Sequence, residues 1–120
     1  MLSIGYLGKN MAYDEGLAQR IRECLQHQDD VVEKNMFGGL CFMVTSHMCC
    51  GIVNETLMAR VGPAQYEKSL AKKHVSEMDF TGRAMKGMIY VAPEGLESDK
   101  VLCEWIETCL QFVMSLPPKK

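Results

Sequence analysis

Residues 31–61, VVEKNMFGGLCFMVTSHMCCGIVNETLMARV, decide the fold. Apolar runs of strand length alternate there with short turn signals, and no gap is long enough for a crossover connection. Val31-Val32 through Phe37 reads as a first strand, ended by Gly38-Gly39. Leu40 to Val44 is continuously apolar, as in a strand buried on both faces. Thr45-Ser46-His47 reads as a turn, Met48 to Val53 as the next strand and Asn54-Glu55 as a tight turn. Thr56 to Val61 alternates Leu57, Ala59 and Val61 against Thr56, Met58 and Arg60. Such spacing permits only hairpins, so this part of the sheet is expected to be antiparallel.

Helical patterns flank this region. Asp14 to about Gln28 carries one apolar stripe through Leu17, Ala18, Ile21, Cys24 and Leu25, with Asp14 and Glu15 in the first turn, where carboxylates suit the helix dipole. Gly62-Pro63 opens a short helix, because proline lacks only an N–H that has no partner at a helix start. Val75 to Phe80 reads as extended, Thr81-Gly82-Arg83 as a turn, and Gly87 to Val91 as a last strand closed by Pro93-Glu94-Gly95. The final helix starts at a Ser98 cap, presents Leu102, Trp105, Ile106, Cys109, Leu110 and Val113 on one face, and stops at Pro117-Pro118. The order α-β-β-β-β-α-β-β-α implies an α+β fold, a two-layer α/β sandwich whose mainly antiparallel sheet is covered by helices. Residues 1–12 read as a flexible leader, with Met11 a candidate second start, 13–117 as one domain and 118–120 as a tail.

Composition bounds the function. With 120 residues, 48% hydrophobic and 23% charged, the chain suits one globular domain and not a disordered one. The net charge of −2 supplies no basic excess, and Lys72-Lys73 and Lys119-Lys120 are only pairs. Tight sequence-specific DNA binding by this chain alone is therefore not expected. No run approaches the roughly 20 apolar residues of a membrane span. The first residues, MLSIGYLGKN, lack the basic start and apolar run of an export signal, so a cytoplasmic location is expected. In that compartment all six cysteines (Cys24, Cys41, Cys49, Cys50, Cys103 and Cys109) are expected as free thiols at apolar positions. The ten methionines read as filler for irregular core gaps, ahead of a promiscuous binding groove.

Four segments carry a family resemblance: Met36-Phe37-Gly38-Gly39-Leu40, Leu57-Met58-Ala59-Arg60-Val61-Gly62-Pro63, Met78-Asp79-Phe80-Thr81-Gly82-Arg83, and Met85-Lys86-Gly87. Tyr90-Val91 and Pro93-Glu94-Gly95-Leu96 follow in order. Together they resemble the N-terminal domain of the TfoX/Sxy competence regulators, over roughly Met11 to Leu116. The resemblance implies a similar two-layer sandwich, a bacterial source and a regulatory role. It supplies no catalytic residue to transfer. Named members of that family carry a second, C-terminal domain, so this chain is expected to be a small stand-alone member.

Each motif also has a plain structural reading. Gly38-Gly39 suits a turn or bulge better than phosphate binding, since the spacing of a phosphate loop is missing. Arg60 beside Gly62-Pro63 suits an anion at a helix start, or an arginine that pairs with a carboxylate or caps carbonyls. Arg83 and Lys86, with Gly82 and Gly87, form a local basic loop open to an acidic partner or phosphate. A metal site is not expected: Cys49 and Cys50 are adjacent, and strand neighbours point to opposite faces. His27, His47 and His74 are scattered. No cofactor is expected. The sequence thus leans away from an enzyme and towards a non-enzymatic regulatory or protein-interaction module, the expected partners being an unidentified protein and further copies of itself. The alternatives are a small-ligand or anion-binding domain using Arg60, Arg83 and Lys86, or an enzyme on nucleic acid whose site is assembled in space.

Overall fold

A computed structural model describes residues 13–79, 82 and 84–117. Helix α1 spans Glu15–Cys24, and the Asp14 carboxylate caps it by accepting from the Leu17 N–H at 3.1 Å. Four strands follow: β1 Val31–Met36, β2 Gly39–Val44, β3 His47–Val53 and β4 Thr56–Arg60. Helix α2 spans Pro63–Leu70, β5 Val75–Asp79, β6 Ala84–Val91 and helix α3 Asp99–Met114. The element order is the one expected. The α+β sandwich holds a six-stranded antiparallel sheet in the order β1-β2-β3-β4-β6-β5.

The first four strands are joined by turns of two residues, with closing pairs Met36↔Gly39, Val44↔His47 and Val53↔Thr56. Phe37 (φ 57°) and Gly38 (φ 76°) are both left-handed, as are Thr45 (φ 49°) and Ser46 (φ 72°). Turns of this mirror-image type match the twist of the strands they join. His47 was expected in a turn; it opens β3 instead, buried, with Nε2 2.7 Å from the Pro117 carbonyl oxygen. Gly38 has open space where a Cβ would stand, so Gly38→Ala should cost only the left-handed strain, about 1 kcal/mol. Urea denaturation measures this. At Gly39 the reason for glycine differs: an added Cβ would strike the Ile52 carbonyl of β3.

The three α-helices of the described residues pack on one face of the sheet. There Leu17, Ile21, Phe42, Ile52, Leu57, Ile89, Leu102, Trp105, Ile106 and Val113 belong to one buried cluster. The Arg22 guanidinium ties α1 to β1 through both Glu33 carboxylate oxygens, at 2.7 and 2.9 Å, and that hydrogen bonding holds the Glu33 carboxyl below its usual range. The opposite face is lined differently. Cys41, Met43, Met48, Met58, Met78 and Met88 form a second buried cluster, flanked by Met36, Phe37, Met85 and Tyr90, and no described helix contributes to it. The methionines thus concentrate on one side of the sheet.

Two expectations about cysteine are corrected. Cys24 of α1 and Cys103 of α3 form a disulfide with a Cα–Cα distance of 5.4 Å; Cys41, Cys49, Cys50 and Cys109 are free and buried. Second, Cys49 and Cys50 do not face opposite sides. The register steps from Phe42↔Cys50 to Met43↔Met48, which leaves Cys49 as the extra residue of a bulge. Both side chains consequently join the helix-side core, next to Cys109.

Candidate functional site

The geometry of the site follows from how β4 ends. Arg60 is the last residue of β4 and pairs in register with Met88 of β6. The chain then turns at Gly62 (φ 87°), whose N–H donates to the Gly87 carbonyl at 3.0 Å. Gly87 is itself left-handed (φ 90°), a conformation that favours glycine, and a Cβ there would meet the Gly62-Pro63 backbone at ordinary contact distance. A Cβ on Gly62 would collide with the Phe112 ring of α3. This pair of glycines, far apart in sequence, locks Lys86 and Arg60 into one neighbourhood.

A cavity of about 310 Å³ opens there, lined by Met36, Phe37, Met48, Arg60, Met85, Lys86 and Met88. Four of its walls are thioethers, which are flexible, polarisable and able to repack around varied shapes. Its charged groups are both cations. Arg60 is partly buried; one Nη donates to the Met48 carbonyl at 3.2 Å, and the guanidinium lies 5.4 Å from the Phe112 ring centroid. The carbonyl-capping role weighed from sequence is therefore present, and it fixes the side chain at the cavity. Lys86 is exposed. Among the described residues no carboxylate pairs with either cation.

The motif residues converge here. Met36 and Phe37 come from the first motif, Arg60 from the second, Met85 and Lys86 from the fourth. Met78 of the third is buried in the same methionine face. Gly38 shapes the first turn, Gly62 and Pro63 start α2, and Gly82 is left-handed (φ 78°). Arg83 and Phe80 lie outside the described residues, as do the expected leader at 1–12 and the tail at 118–120. Met48 and Met88 lie outside the motifs and carry no sequence signal as site residues, because methionine reads as core wherever it stands.

Other groupings have different chemistry. A second cavity of about 370 Å³ is lined in part by Lys72, Lys73, His74, Glu104 and Trp105. The Lys72 ammonium sits 5.0 Å from the Trp105 ring centroid, and the Glu104 carboxylate shares the wall, so this cavity is not selectively cationic. Among the buried thiols, hydrogen bonds with Cys109 and Cys50, helped by the Arg60 charge, bring Cys49 down to about 5. Burial raises Cys41 to about 11. Cys49, Cys50 and Cys109 are all fully buried, so a thiolate there has no access to substrate. Among the described residues no group of three or more His, Cys, Asp or Glu is placed to hold a metal ion. No described helix is long and apolar enough to cross a membrane.

The fold and the cavity define a two-layer α+β domain whose sheet face opposite the described helices carries a cationic, thioether-lined hollow. The family model for the TfoX N-terminal domain matches residues 23–113, and the chain belongs to that family. No curated protein and no solved structure matches the chain.

Proposed function

We propose that the chain is a non-enzymatic regulatory module, similar to the N-terminal domain of competence regulators, that works by contacts with other proteins and with further copies of itself. One observation carries the reading. The family's motifs meet at a hollow equipped to bind and not to react. Its described lining offers apolar, adaptable walls and two cations, and among the described lining residues there is no nucleophile beside a base and no pair of carboxylates. Membership of a regulator family points the same way.

The test is recovery of native complexes from source cells by a tagged chain, compared with its Lys86→Glu variant and joined to light-scattering mass measurement. A stoichiometric partner or a self-complex is expected with the wild type, and less of it with the variant. A monomer that recovers no stoichiometric partner would refute the proposal.

Direct reading of DNA is not part of this function. The net charge is −2, and specific regulators typically bind at about 10⁻⁸ M or tighter. Fluorescence anisotropy with genomic fragments at physiological salt should show no binding in that range. A specific complex there would overturn the expectation.

A further inference from the structure

We infer that the methionine cavity is a binding site for a small amphipathic anion, its apolar body lying between the thioethers and its carboxylate or phosphate head held by Arg60 and Lys86. The inference goes beyond the regulatory reading and stands without it, since it concerns what enters the hollow and not what the domain then contacts.

Three observations support it. The cavity, at about 310 Å³, falls at the small end of the roughly 300–1,000 Å³ range of small-molecule sites, and it has their composition: mostly apolar walls with a few polar groups aimed inward. Its charge is one-sided, because Arg60 and Lys86 line it and no described carboxylate pairs with them. Arg60 is also held in place before any ligand arrives. The Met48 carbonyl and the Phe112 ring fix it while occupying one of its five N–H donors, which leaves a planar donor edge for an oxyanion. The second cavity lacks this asymmetry. There Lys72 already lies against Trp105, and Glu104 stands among the cations.

The site is tested by titrating protein carrying isotope-labelled methionine methyls and following their resonances. The probes are decanoate, decyl phosphate, decanol and inorganic phosphate. At least one of the two anionic amphiphiles should shift the Met36, Met48, Met85 and Met88 methyls saturably and leave Met114, on α3, in place; which one does so identifies the head group. Decanol should bind at least about fivefold more weakly, and Lys86→Gln should weaken the anion by roughly fivefold, the worth of one partly exposed ion pair. Arg60→Gln should weaken it further; if that variant unfolds, the exposed Lys86→Gln variant decides. The inference is overturned if decanol binds as tightly as the anions. It is equally overturned if inorganic phosphate alone produces the same shifts, if Lys86→Gln changes nothing, or if none of these methyls responds.

Discussion

Trp105→Ala is expected to lower the unfolding free energy by about 3–5 kcal/mol, a large share of the roughly 5–15 kcal/mol that a domain of this size has. Trp105 lies within α3, whose apolar face packs on β2, β3 and β4. It is only 7% exposed and belongs to the main buried cluster with Leu102, Ile106 and Cys109. A ring of that size buries on the order of 200 Å² of surface, and its removal leaves a hole that rigid neighbours close only in part. The Lys72 ammonium over the ring adds a smaller contribution at the rim. The competing view is that Trp105 serves the second cavity as a ligand-stacking surface. Urea denaturation and tryptophan fluorescence separate the two. The anchor predicts blue-shifted, poorly quenched emission and a mutant with a much lower urea midpoint. Red-shifted, readily quenched emission with a mutant nearly as stable as the wild type would show that the ring faces solvent.

The strands from Val31 to Arg60 were legible because their signals are local. Strands of five to seven residues and turns two residues long leave one pairing scheme open. Where the determinant is not local, the sequence points elsewhere. His47 looked like turn because Thr45 and Ser46 carry no glycine, and a β-branched residue at φ 49° is an uncommon way to close a hairpin. The start of β6 at Ala84 was placed three residues late, at the glycine that favours strand ends, and the insertion of β6 between β4 and β5 is a long-range pairing with no local mark. The bulge at Cys49 was invisible for the same reason. At the site, Arg60 and Lys86 were legible as cations beside glycines. What joins them, the Gly62–Gly87 hydrogen bond, depends on two backbones meeting across 25 positions of sequence.

Loss of the Cys24–Cys103 bridge, by Cys103→Ser or by reductant, is expected to lower stability by about 4 kcal/mol while leaving the fold in place. The sequence did hold a faint signal for this bridge, since Cys103 falls off the apolar stripe of α3 and is exposed. The magnitude follows from the unfolded chain. The bridge joins residues 79 apart, and closing a loop that long removes much of the entropy of the denatured ensemble. The folded state loses less. Arg20 still holds α1 against the start of α3, with Nε 2.8 Å from Asp99 and an Nη 2.6 Å from the Leu96 carbonyl. Far-UV circular dichroism should therefore be unchanged while the urea midpoint falls. Alkylation under denaturing, non-reducing conditions should label four thiols in the oxidised protein and six after reduction, where the free-thiol reading from sequence required six throughout. Cys24→Ser, Cys103→Ser and the double variant should lose the same stability, and none should respond to reductant. If all six thiols of freshly purified protein are labelled without reduction, the two helices are held by packing and Arg20 alone. Reductant would then leave the urea midpoint where it was.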